Sequence, residues 1–109
     1  MASIEVGPLS LDPRTFEVNA GGKITLLTPV EFELLRYLMT HAGEVISNDR
    51  LLQEIWGYPP GVGSSGLVRM YIRKLRLKIE PSPSSPIYIK TIRRRGYILS
   101  PQWPIKDRR

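Results

Sequence analysis

Apolar residues recur in more than one rhythm along these 109 residues. From Ile4 to Leu26 they alternate with polar ones in short runs, IEV, LSL, TFEV and KITL, broken at Gly7-Pro8, Asp12-Pro13 and Asn19-Ala20-Gly21-Gly22. Alternation interrupted by turn formers predicts a small antiparallel meander, with NAGG as its clearest hairpin turn. From Leu27 the spacing changes to threes and fours, the period of a helix face. Past Pro86 the segments IYIKTI and GYILS return to strand character around Arg93-Arg94-Arg95-Gly96, a hairpin with a cationic tip.

Start and stop signals divide the helical region. Leu27 to Gly43 opens with Thr28 as N-cap, Pro29 at the first helical position and Glu31 three residues after the cap, a capping box. Leu27 and Phe32 stand where a hydrophobic staple would close, and Gly43 is positioned to stop the helix. Phe32, Leu35, Leu38 and Met39 form its apolar face. Glu31 and Glu33 are two apart and point in different directions, which excludes a carboxylate pair, and His41 belongs with the last carbonyls. A second helix runs from an N-cap at Ser47 to Gly57, with Leu51, Leu52, Ile55 and Trp56 as its apolar content. Two helices joined by a short link and followed by a third predict a helix-turn-helix.

The third helix, Val68 to Ile79, carries an apolar stripe at Val68, Ile72, Leu75 and Ile79 and five cations over the rest of its surface. At 100° per residue, Met70, Arg73, Lys74 and Leu77 lie opposite the stripe, with Arg69 and Arg76 on one flank and Tyr71 and Lys78 on the other. Glu80-Pro81 ends it, since a proline disfavours helical geometry in its predecessor. PSPSSP then reads as an extended polar spacer, and Pro101 to Arg109 as a loose tail whose Trp103 can pack back on the domain.

Charge sharpens this outline. Residues 1 to 68 have a net charge of −4 and residues 69 to 109 of +10. Such a division points the C-terminal half at a polyanion, nucleic acid ahead of an anionic membrane surface. There is no cysteine and a single histidine, so disulfides, thiolate metal sites and an ordinary zinc cluster are excluded, and no cofactor is expected. The cysteine content fits a reducing cytosol, and no apolar run approaches the roughly 18 residues of a membrane span. Gly61, Gly63 and Gly66 spell a G-x-G-x-x-G before the third helix, but a helix rather than a strand precedes it and Pro86 stands where an acidic residue belongs, so the segment reads as an exposed loop. With no nucleophile-base pair either, the chain is not read as an enzyme.

An outward face of long cations interleaved with Met70 and Leu77, free of glutamate from Arg69 to Lys78, suits the major groove of duplex DNA. Cations reach phosphates or guanine edges, and apolar side chains meet thymine methyls. The cationic hairpin could follow the backbone or enter the minor groove.

LTPVEFELLRYL, ISNDRLLQEIWG, V-x-x-x-I-x-x-LR-x-K and TIRRRGYIL, in this order, resemble the winged-helix effector domains of OmpR/PhoB-type two-component response regulators over nearly the whole chain. The resemblance implies an α+β winged helix-turn-helix as one domain over 1–109: an N-terminal antiparallel β-sheet (4–26), a three-helix core (28–79) and a C-terminal β-hairpin wing (87–100), with a tail at 101–109. It implies double-stranded DNA as partner, on direct repeats, in a cytoplasmic transcription regulator whose receiver domain, addressed by a sensor kinase, is absent from this sequence. The isolated domain is expected to be monomeric off DNA. Carried over by position, the DNA-contacting residues are Met70, Tyr71, Arg73, Lys74 and Arg76 in the helix, Thr91, Arg93 and Tyr97 in the wing, and Trp56 on the backbone; Arg69 in the helix and Arg94 and Arg95 in the wing join them as cations of the same basic elements. The loop Tyr58, Pro59, Pro60, Gly61, Val62 and Gly63 is implied as a contact for RNA polymerase. A protein-interaction module docking through loop 58–66 is the alternative. Arg69 and Tyr71 stand where Asp and His are common, and Arg94 replaces a wing-tip glycine, which disfavours a left-handed turn there.

Overall fold

The computed structural model describes residues 2–100; the tail and Trp103 lie outside the described residues. Four short strands, β1 (Ile4–Val6), β2 (Leu9–Asp12), β3 (Glu17–Ala20) and β4 (Lys23–Leu26), form an antiparallel sheet in sequential order. The period-two alternation buries Leu9, Leu11, Val18 and Ala20 and leaves Glu5, Glu17, Asn19, Ile24 and Leu26 exposed. The predicted NAGG turn forms at Gly21-Gly22, where the Gly22 N–H donates to Asn19 Oδ1 at 2.8 Å. Phe16, at φ 65°, stacks its ring on Phe32 at 4.3 Å and ties the β2–β3 turn to the first helix.

Helix α1 (Pro29–Thr40) begins with the predicted box: Thr28 Oγ1 accepts from the Glu31 N–H and Glu31 Oε1 accepts from the Thr28 N–H. Its end differs from the expectation. The helix stops at His41, whose Nδ1 lies 2.8 Å from the Tyr37 carbonyl oxygen, and the N–H of Gly43 donates instead to Leu99 O at 2.9 Å. Gly43 still takes the left-handed conformation expected of it, at φ 88°, two residues past the cap, and its N–H serves the wing. Helix α2 (Asn48–Trp56) has Ser47 as N-cap and Gly57, at φ 73°, as its left-handed stop.

Helix α3 (Ser65–Ile79) starts one turn earlier than its apolar stripe, because Ser64 Oγ caps the N–H of Gly66, so Ser65 and Gly66 belong to the helix rather than to the loop. Val68, Ile72, Leu75 and Ile79 are each at most 2% exposed. At about 1.5–3 kcal/mol for each buried aliphatic side chain, this seam outweighs any surface ion pair, worth about 0–1, in docking the helix.

The segment after α3 is not an extended spacer. Glu80, 2% exposed, turns its carboxylate onto the returning chain and accepts from the N–H groups of Ile87, Tyr88 and Ile89 at 2.8–3.1 Å. Within the loop the Ser85 N–H donates to Ser82 O, so residues 81–86 form a closed turn. Strands β5 (Ile89–Ile92) and β6 (Gly96–Leu99) then make the wing. Ile46, in the α1–α2 link, exchanges both backbone hydrogen bonds with Tyr97, which fastens the wing to the helix-turn-helix.

Candidate nucleic-acid interface

The core stripe of α3 fixes which side chains face out. Arg69, Met70, Arg73, Lys74 and Leu77 are exposed, and no acidic side chain interrupts them. Tyr71 is half-buried, its ring tilted against Trp56 at 5.4 Å with the Lys74 ammonium over it at 5.0 Å. Trp56 is half-buried as well, so one edge packs on the domain and the other borders the cationic face.

Two cations of α3 are turned inward. Arg76 donates from Nε and Nη2 to Ile89 O at 3.1 and 2.8 Å and from Nη2 to Thr91 Oγ1 at 2.9 Å. Its guanidinium also lies over the Tyr97 ring, 5.9 Å from the centroid. Burial pulls the Arg76 pKa below its ordinary value against the opposing influence of Tyr97 and Glu80, without threatening its charge at neutral pH. Lys78 reaches the other way and donates to Glu31 Oε1 at 2.6 Å and Leu26 O at 3.1 Å. Burial opposes ionisation of Glu31, but the Lys78 ammonium and the Thr28 N–H outweigh it and hold that carboxyl below its ordinary value.

At the wing, Thr91, Arg93, Arg94 and Arg95 are exposed while Tyr97 is buried at 7%. Arg94 adopts φ 65°, against the expectation for a non-glycine residue. It holds the third position of the turn closed by Arg95 N–H donating to Ile92 O, where a type II turn needs positive φ. The pairing of β5 with β6 and the Ile46 bridge impose that turn over the local preference. The tip is thereby carried to the start of α2, and Arg94 and Arg95 share a depression with Ser47, Asn48, Asp49 and Ser65.

The structure thus brings Arg69, Met70, Arg73 and Lys74 together on one face, with the arginine tip beside the helix-turn-helix. Arg76, Thr91 and Tyr97 form a buttress between helix and wing. The loop from Tyr58 to Gly63 is exposed, with Tyr58 and Val62 at 38% and 49%. Two residues outside the sequence reading matter here. Gly96 is one, since a Cβ on it would stand 1.9 Å from Ile46 O. Glu80 is the other, and its signal was an acid directly after the basic helix, one of two in residues 69–109. Among the described residues no group of histidines and carboxylates could hold a metal, and no helix is long and apolar enough to cross a membrane.

The family model for "Transcriptional regulatory protein, C terminal" matches residues 22–99. The chain belongs to this family. It is a winged-helix DNA-binding domain of the OmpR/PhoB type found in response regulators, a transcription-factor module and not an enzyme. The winged-helix domain is 44% identical over 93 residues to the DNA-binding dual master transcriptional regulator RpaA of Synechocystis sp., covering 85% of this chain and 38% of RpaA. It is also 44% identical over 96 residues to the alkaline phosphatase synthesis transcriptional regulatory protein PhoP of Bacillus subtilis, covering 88% and 40%. The chain therefore spans about two-fifths of the length of these relatives. Among solved structures it resembles the Klebsiella pneumoniae RstA DNA-binding domain in complex with RstA box, with TM-score 0.81, 32% identity and coverage of 94% and 100%. The Thermotoga maritima OmpR/PhoB homolog DrrB gives TM-score 0.78 at 35% identity, over 91% of this chain and 44% of DrrB.

Proposed function

We propose that this winged-helix domain regulates transcription by sequence-specific binding of duplex DNA, with α3 in the major groove and the wing tip on the backbone or in the adjacent minor groove. The observation that carries this reading is the face of α3 itself. Its buried stripe fixes the helix rigidly, and its exposed side offers Arg69, Met70, Arg73 and Lys74 with no acid among them. Met70 lies opposite the buried stripe and Lys74 beside it on the side away from Arg69, and these two are assigned to base edges; Arg93, Arg94 and Arg95 are assigned to phosphates. In the whole protein, a phosphorylated receiver domain would pair two such domains on direct repeats, in the cytoplasm. Selecting bound duplexes from a random pool tests this. Enrichment of one motif, repeated at about one helical turn when the domains are paired, supports it, and recovery of unrelated sequences counts against it.

The exposed Tyr58 and Val62 favour a second, compatible role for the loop as a contact for RNA polymerase. Substituting both with serine is expected to leave promoter occupancy intact and lower transcription. Loss of occupancy would assign the loop to DNA or folding instead.

A further inference from the structure

Between α3 and the closed turn 81–86 lies a depression of about 340 Å³ lined by Arg69, Arg73, Arg76, Leu77, Pro83 and Ser84. We propose that a phosphate of the duplex backbone seats here, held by Arg69, Arg73 and the Ser84 hydroxyl, with Leu77 and Pro83 against its deoxyribose. This rests on the reading that the domain binds duplex DNA, and it adds a contact from the 81–86 turn, which lies outside both the recognition helix and the wing.

Three observations converge on it. First, the guanidinium groups of Arg69 and Arg73 are exposed and engage no hydrogen bond, ion pair or ring among the described residues, whereas Arg76 at the back wall is committed to Ile89 and Thr91. Two unneutralised cations across a concavity from a hydroxyl form a donor set matched to phosphate oxygens. Second, the turn presenting Ser84 is fixed. Glu80 anchors its far end by three backbone N–H groups, and the Ser85 N–H donates to Ser82 O within it. A hydroxyl on a rigid turn loses little freedom on binding. Third, Leu77 is 58% exposed in an otherwise cationic setting. A free inorganic anion would use the arginines and leave Leu77 and Pro83 facing water, while a nucleotide unit supplies a sugar to cover them. The seat lies on the Arg69 side of α3 and leaves Met70 and, on the other side, Lys74 to the bases.

The test uses the intact 109-residue chain on a selected duplex and on a random one across a potassium chloride series. Arg69→Gln is expected to reduce the log–log salt slope by about one unit, equally for both duplexes, because one phosphate contact is lost. Ser84→Asp, which puts a carboxylate into the seat, is expected to weaken both at least tenfold at low salt. In a methylphosphonate scan, one neutralised position should weaken the wild type and not weaken Arg69→Gln further. An unchanged slope in Arg69→Gln, or the absence of any such position, overturns the seat while leaving duplex binding standing. If Arg69→Gln abolishes binding of inorganic phosphate to the DNA-free domain yet leaves the salt slope of duplex binding unchanged, the site belongs to a free anion and the duplex assignment is wrong. If the wild type binds no duplex at low salt, the parent reading fails with the seat.

Discussion

The guanidinium of Arg76 donates twice to the carbonyl oxygen of Ile89, at 3.1 and 2.8 Å, and so joins the recognition helix to the first strand of the wing. Two neighbouring arginines of one helix thus do different work: Arg73 faces out, and Arg76 sets where the wing stands.

Arg76→Ala is expected to cost about 1.5–3 kcal/mol of stability, since it removes charge-assisted bonds and leaves a half-buried carbonyl unpaired. Arg76→Lys should recover less than half of this, because an ammonium cannot reproduce the planar fork. Urea unfolding of both variants measures the loss, and faster amide exchange in β5 should accompany it. A stability within about 0.5 kcal/mol of wild type would show that the buttress contributes nothing.

Gly96→Ala places a methyl group 1.9 Å from Ile46 O at a backbone φ of 140°. Displacing the wing from the α1–α2 link breaks the paired hydrogen bonds between Ile46 and Tyr97, so a loss on the order of 3 kcal/mol is expected. Thermal unfolding should show it as a lowered midpoint, and an unchanged midpoint would mean that the bridge does not hold the wing.

Arg94→Gly should separate stability from binding. Releasing a non-glycine residue from φ 65° is expected to stabilise the domain by about 1 kcal/mol. The same change should weaken operator and random duplex alike and reduce the salt slope by about one unit. A stabilised variant with undiminished binding would remove Arg94 from the interface.

The Lys78–Glu31 pair gives a pH dependence of known sign. The folded-state pKa of Glu31 lies below its ordinary value of 4.5, so its contribution is fully present above that pH and is lost as pH falls through the folded-state value. Stability curves of wild type and Glu31→Gln should therefore converge on acidification below about pH 4.5. Parallel curves would show that Glu31 is not depressed by its partners.

Much of this architecture was legible in the sequence because its signals are local. Thr28, Pro29 and Glu31 start α1 within four residues, Ser47 and Gly57 bracket α2, and the α3 stripe repeats within one helix. What escaped depends on partners far along the chain. Nothing near Arg76 marks it as bound to a strand 13 residues on, or Lys78 as bound to a glutamate 47 residues back. PSPSSP has the composition of a spacer, and only the fold shows Glu80 closing it into a turn. Arg94 reverses a local preference for the same reason: strand pairing on either side fixes the turn it must occupy.

The central claim is that Met70 and Lys74 of α3 read bases while the Arg69 side of the helix and the wing tip hold phosphates. The measurement that tests it most directly is the ratio of affinities for a selected operator and a random duplex, for wild type and Lys74→Ala at one salt concentration. A base contact worth about 1–3 kcal/mol predicts that the ratio falls roughly 5- to 150-fold while affinity for the random duplex changes little. Equal weakening on both duplexes, with the ratio preserved, would place Lys74 on the backbone and contradict the assignment.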